Sequence, residues 1–168
     1  ICKQLIETHK REDLIPFIYI HLSLYYIDLG EYGQAWIQTE VAKKYAKKSN
    51  NLESLLNAIS NQYRIQRYLG NLETAQALVN EQIDIALEFN DPIQLFSAFL
   101  NQAYQYYLQN QKQECIQAFQ KAIEYSKKSN NLYVRISLVF NFINSLYSVA
   151  YWGWRSFPFQ VLVTPMPC

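Results

Sequence analysis

Between Leu14 and Leu29, apolar residues recur at three-and-four spacing at Leu14, Ile18, Leu22, Tyr25, Tyr26 and Leu29, and Gly30 follows. That period predicts an amphipathic helix, and glycine is the residue that best ends one. A second run, roughly Tyr32 to Lys48, keeps Ala35, Trp36, Thr39, Ala42, Tyr45 and Ala46 on one face and lysines on the other. The pair then recurs as Leu52 to Leu69 and Leu72 to Phe89, divided by Gly70-Asn71, where glycine should end one helix and asparagine cap the next. A third pair opens on Asp91-Pro92, a cap followed by a first-turn proline, and runs from about Ile93 to Gln109 and from Lys112 to Lys128. Links this short predict antiparallel neighbours.

The pairs repeat with a period of 40 residues. Lys-Lys-Ser-Asn-Asn stands at Lys47 to Asn51 and again at Lys127 to Asn131. Asp28-Leu29-Gly30, Tyr68-Leu69-Gly70 and Leu108-Gln109-Asn110 mark one turn in three successive copies, and Ala35, Ala75 and Cys115 hold one small-residue column. A period of this length predicts an all-α solenoid, a superhelix of antiparallel helix pairs in which each unit buries its apolar face against its neighbours. The units expected are the end of a preceding repeat and a linker (1–13), three full repeats (14–51, 52–91 and 92–131), the first helix of an incomplete fourth (132–150) and an irregular tail (151–168). Because Cys2, Leu5 and Ile6 project onto Ala42, Tyr45 and Ala46, the sequence is expected to be a fragment of a longer array.

The tail reads Tyr151-Trp152-Gly153-Trp154-Arg155-Ser156-Phe157-Pro158-Phe159 and ends Thr164-Pro165-Met166-Pro167-Cys168. Prolines and crowded aromatics forbid a helix of the earlier kind. An interaction tail, a strand packed over the last helix and a frameshift or truncation product are three open readings.

Composition narrows the class. With 168 residues, half of them apolar, the chain has material for a core. A net charge of +1 gives no field suited to nucleic acid. Cys2, Cys115 and Cys168 have neither an even count nor metal-like spacing, which points to a reducing, cytoplasmic setting and to Cys2 and Cys115 as small buried residues. The apolar stretch from Tyr133 to Trp154 contains Arg135, Asn141 and Asn144, which argues against a membrane span. Lys43, Lys44, Lys47, Lys48, Lys121, Lys127 and Lys128 sit where cations complement helix C-termini. No nucleophile with its base, metal cluster or phosphate loop is visible, so neither catalysis nor a cofactor is expected.

The run Tyr26-Ile27-Asp28-Leu29-Gly30-Glu31-Tyr32-Gly33-Gln34-Ala35 resembles the tetratricopeptide repeat signature: an aromatic, a glycine at the turn, a second aromatic and a small residue inside the next helix. Tyr68-Leu69-Gly70-Asn71-Leu72-Glu73-Thr74-Ala75 resembles it again, and the copy with Asn110, Lys112 and Cys115 does so more weakly. The resemblance spans about residues 14–150. Two features depart from it: Ser23, Tyr63, Ala103 and Ile143 stand where the family has glycine, and Asn-Asn or Asn-Asp replaces its closing proline. The longer period is similar to that of kinesin light chains, bacterial peptide-sensing regulators and sensor regions of signalling ATPases.

What the resemblance implies is a concave groove lined by the first helix of each pair and used to bind a protein or peptide. Asn61, Asn101 and Asn141 are one period apart on those helices, with His21 at the same place in the first copy. A carboxamide both donates and accepts, so such a ladder suits the backbone of an extended peptide. Arg64, Tyr104 and Asn144 follow one turn along, flanked by Ser60, Arg67, Tyr68, Tyr107 and Tyr147. The ladder could equally be a solvated face or a set of bonds between repeats. The family's clamp for acidic C-termini, which needs lysines in the first helix of the first and third repeats, is not matched, since Ile20, Leu24 and Ser97 occupy that region. The chain reads as a binding scaffold, or alternatively as the ligand-sensing region of a regulator whose ATPase or transcription-factor domain lies elsewhere.

Overall fold

The structure, a computed structural model, describes residues 12–129 and Asn131. These belong to one compact unit, Ile1–Asn131. The expectations for residues 1–11 (Cys2 included), for the fourth copy (132–150, with Asn141, Asn144 and Tyr147), for the apolar stretch 133–154 and for the tail 151–168 fall outside the described residues.

After a short 3-10 turn at Glu12–Leu14, six helices follow among the described residues: α1 Ile15–Asp28, α2 Tyr32–Lys48, α3 Leu52–Tyr68, α4 Leu72–Phe89, α5 Pro92–Leu108 and α6 Lys112–Lys128. Every helix stands where the sequence placed it, with ends shifted by a residue at most, but α1 buries Ile20, Ser23 and Ile27, whereas Leu14, Leu22, Tyr25 and Leu29 of the expected apolar face are exposed. Each packs on the next along the chain, and α1 also packs on α3, as α3 does on α5. Among the described residues, no helix is long and apolar enough to cross a membrane.

Repeating backbone chemistry sets the turns. Gly30, Gly70 and Asn110 have φ of 75°, 77° and 58°, the left-handed conformation in which a helix C-terminus can close. At each, two backbone bonds finish the helix: Gly70 N–H to Arg67 C=O at 3.1 Å and Asn71 N–H to Gln66 C=O at 2.9 Å, for example. The Asn-Asn and Asn-Asp links use the same device, with Asn50 and Asn90 left-handed at φ 52° and 49°. The residue after each then caps the next helix. Asn51 accepts from Ser54 N–H at 2.9 Å and Asp91 accepts from Ile93 N–H at 2.8 Å.

One expectation about these turns is corrected. Asn71 does not cap α4 with its side chain; its Nδ2 donates instead to Gln66 Oε1 at 2.8 Å.

The core is built in layers that take one residue from each of three consecutive helices. Ile20, Ala42 and Ala58 form one layer, and Ile27, Ala35 and Ile65 another, closed by Tyr26, Tyr32 and Trp36. Small side chains at the repeated column let successive helices approach, and Ala35, Ala75 and Cys115 are all buried. The Cys115 thiol is pushed up to about 11 by that burial, which removes it from thiolate chemistry at neutral pH.

Candidate functional site

The odd-numbered helices α1, α3 and α5 carry the residues singled out for binding, and the structure divides them into two groups. The first faces inward. Asn61 is buried at 5% exposure, with Nδ2 donating to Ser23 Oγ at 2.7 Å and to Ile20 C=O at 3.3 Å. Asn101 is half-buried, donating to Gln82 Oε1 at 2.9 Å and to Ser60 Oγ at 3.1 Å. These two carboxamides therefore tie one helix pair to the pair before it. That corrects the ligand-facing reading of Asn61 and supports the alternative of bonds between repeats. The cause is geometric: α3 packs on α1, so a residue of α3 that faces α1 meets that helix before any ligand.

Gln82 is the second partner of Asn101 and is itself buried. The available signal was a long polar side chain between Ala42 and Ala122 at one period's spacing. Gln62, also buried, was missed too. It accepts from Lys43 Nζ at 3.0 Å through Oε1 and donates through Nε2 to Glu40 in a short hydrogen bond. Lys43 also lies 3.7 Å from Glu81, so it links α2, α3 and α4 rather than serving the end of its own helix. Lys47 and Lys48 do stand in the last turn of α2, and Lys127 and Lys128 in that of α6.

The second group faces outward. Tyr25, Tyr68 and Tyr104 are exposed at 58%, 49% and 42%. Near the C-terminal end of α3, the Arg67 guanidinium carbon lies 4.4 Å from the ring centre of Tyr104, 4.7 Å from that of Tyr68 and 5.8 Å from that of Tyr63. Tyr68 in turn stacks on Tyr32 of α2, with centres 5.6 Å apart and planes 15° apart, and Tyr104 lies 6.0 Å from Tyr107. The result is a band of aromatic rings around one cation, contributed by three helices. Tyr63 is its buried base. Its hydroxyl donates to Asn101 C=O at 3.1 Å, and burial pushes its pKa well up, with Arg67 opposing in part.

Arg64 is half-buried and makes no ion pair or hydrogen bond among the described residues. His21 is exposed, with its ring edge-on to Phe17 at 4.3 Å. The structure thus brings Arg67, Tyr68, Tyr104 and Tyr107 together and leaves His21 apart from them. Among the described residues, no three of His, Cys, Asp and Glu are grouped so as to hold a metal ion. The chain matches no protein-family model, no curated protein and no solved structure.

Proposed function

We infer that the chain is a protein- or peptide-binding scaffold of the tetratricopeptide kind, its helix pairs stacked as a solenoid and its ligand lying along the odd-numbered helices. The observation that carries this reading is the aromatic band around Arg67. Tyrosine and arginine are the residues most enriched at binding hot spots, and exposed rings held in fixed positions bury area with little loss of freedom. A supporting observation is the packing of α1 on α3 and of α3 on α5, with no comparable packing of α2 on α4 or of α4 on α6 among the described residues. The row of helices that touches across repeats is the inner row of a curved stack. Tyr68, Tyr104 and Arg67 belong to that row.

The test is capture from a native lysate with the wild-type chain and with a Tyr68→Ala, Tyr104→Ala variant of unchanged helicity. Any partner is then purified, and hydrogen exchange is measured on the reconstituted pair. A partner that binds only the wild type and slows exchange in the second halves of α3 and α5 supports the reading. Equal capture by both chains, or protection confined to α2, α4 and α6, rejects it.

A further inference from the structure

We propose that Arg67 anchors a carboxylate side chain of the bound peptide, an Asp or Glu set among uncharged or aromatic residues. The inference rests on the peptide-binding reading above and names the chemistry of its ligand. Tyr63, Tyr68 and Tyr104 surround the guanidinium at 4.4 to 5.8 Å. Rings at that distance hold the planar cation by attraction between charge and π-face. One N–H is engaged by the Tyr63 hydroxyl oxygen, but a guanidinium has five such donors, and the rest of that fork matches a carboxylate.

Nothing acidic in the described residues meets that fork. The ion pairs among the described residues join Lys43 to Glu81, Lys48 to Glu12 and Lys128 to Glu124, and all lie elsewhere. The Tyr63 hydroxyl, which meets Arg67, donates its own proton to Asn101 C=O, and burial keeps that proton in place. Arg64, one turn back on α3, likewise makes no ion pair among the described residues. Helix α5, which supplies Tyr104, contains no charged residue at all. Among the described residues, two positive charges thus stand without an ion pair in an aromatic, partly desolvated setting, where a charge-assisted bidentate contact is strongest. A single carboxylate with apolar neighbours complements that arrangement: the acid meets the guanidinium, and the neighbours lie on the exposed faces of Tyr68 and Tyr104. A nucleic acid fits less well, because a polyanion draws its affinity from several cations in a row and α5 offers none.

The experiment begins with random peptides displayed on phage and selected on the wild-type chain. Enriched peptides are synthesised with a fluorescent label and titrated by anisotropy. An acid should recur at one place in them, and its change to the amide should weaken binding about 10-fold, as should Arg67→Gln. Arg67→Gln tested against the amide peptide should be weaker than either single change by less than about 3-fold, the mark of a direct pair. Arg67→Lys should recover only part of the affinity, because an ammonium lacks the fork. If Arg67→Gln loses the wild-type circular dichroism spectrum, Arg67→Lys takes its place in the cycle.

Several results would overturn the proposal. Selected peptides without an acid would reject it and leave peptide binding intact. Equal weakening of acidic and amide peptides by Arg67→Gln would make the residue a structural strut. No enrichment of any peptide would reject both readings. Arg67-dependent binding of an oligouridine probe in place of peptides would assign the site to nucleic acid.

Discussion

Asn61 donates to Ser23 Oγ at 2.7 Å, joining α3 to α1 across the boundary between the first two helix pairs. Ser23 is fully buried and donates its own hydroxyl hydrogen bond to Ile20 C=O at 2.7 Å, so the three groups form a closed polar chain inside the stack. Asn61→Ala removes its only donor and exposes nothing to replace it. An unsatisfied buried acceptor costs about 1–3 kcal/mol, and urea denaturation should show a loss of that order. Asn101→Ala, at a half-buried site, should lose less. Affinity for a groove peptide should change little in Asn61→Ala if its folded fraction is kept, because the side chain is occupied internally. A large loss of binding at unchanged stability would put Asn61 in contact with the ligand.

Two glycines predict opposite responses to the same substitution. A methyl group at Gly33 or at Gly70 would meet no atom within 4 Å, so neither change is steric. Gly70 has φ of +77°, and Gly70→Ala forces an L residue into the left-handed region at a cost of about 1 kcal/mol. Gly33 lies in the first turn of α2 without a positive φ, and Gly33→Ala should raise stability by up to about 1 kcal/mol by restricting the unfolded chain. Thermal melts of the two variants should move in opposite directions.

The boundaries of all six helices were legible because glycine, asparagine and the apolar period act locally. Gly30 and Gly70 end their helices through their own backbone conformation, which a sequence states outright. The role of Asn71 was less legible, since its backbone N–H is drawn to Gln66 C=O and its side chain follows to the same residue. Orientation was the larger difficulty. A period of 40 residues shows that Asn61 and Asn101 are equivalent, but equivalence is the same for a residue facing a ligand and one facing the preceding helix. The column Ser23, Tyr63, Ala103 illustrates the limit. All three are buried, although one is a tyrosine, because its hydroxyl finds Asn101 C=O and its ring lies beside Arg67. Partners one repeat away decide such a position, and no local pattern announces them. Tyr68 and Tyr104 were legible as exposed groove positions from helical spacing, whereas Tyr25, expected on the apolar face of α1, is exposed because Ile20, Ser23 and Ile27 form the buried face.

The Lys43 network predicts unequal effects from its members. Gln62 is buried and binds both Lys43 and Glu40, so Gln62→Ala leaves a lysine with 17% of its side chain exposed short of an acceptor. A loss of about 2 kcal/mol is expected. The Lys43 to Glu81 pair is longer, at 3.7 Å, and Glu81 is 42% exposed. A double-mutant cycle on that pair should give less than about 1 kcal/mol, shrinking further as salt is added. A coupling above that value would show that the Glu81 link from α2 to α4 rivals the Gln62 link from α2 to α3.

Alkaline pH should loosen the stack through two buried acids. Burial raises the Cys115 thiol from 9.0 to about 11, and it raises the Tyr63 hydroxyl from its ordinary 10.0 as well. In both cases the folded state binds the proton more tightly than the unfolded chain does. Stability is therefore unaffected below pH 9.0 and falls as pH rises through the window to about 11, where the unfolded chain sheds protons that the folded chain retains. For Cys115 two pKa units correspond to about 2–3 kcal/mol, an upper bound for a thiol that small motions can expose. Chemical denaturation between pH 8 and about 11 should show this decline, starting earlier in the wild type than in a Cys115→Ala variant, whose loss would await Tyr63. Identical pH profiles for the two chains would show that Cys115 ionises in the folded state as freely as in the unfolded one.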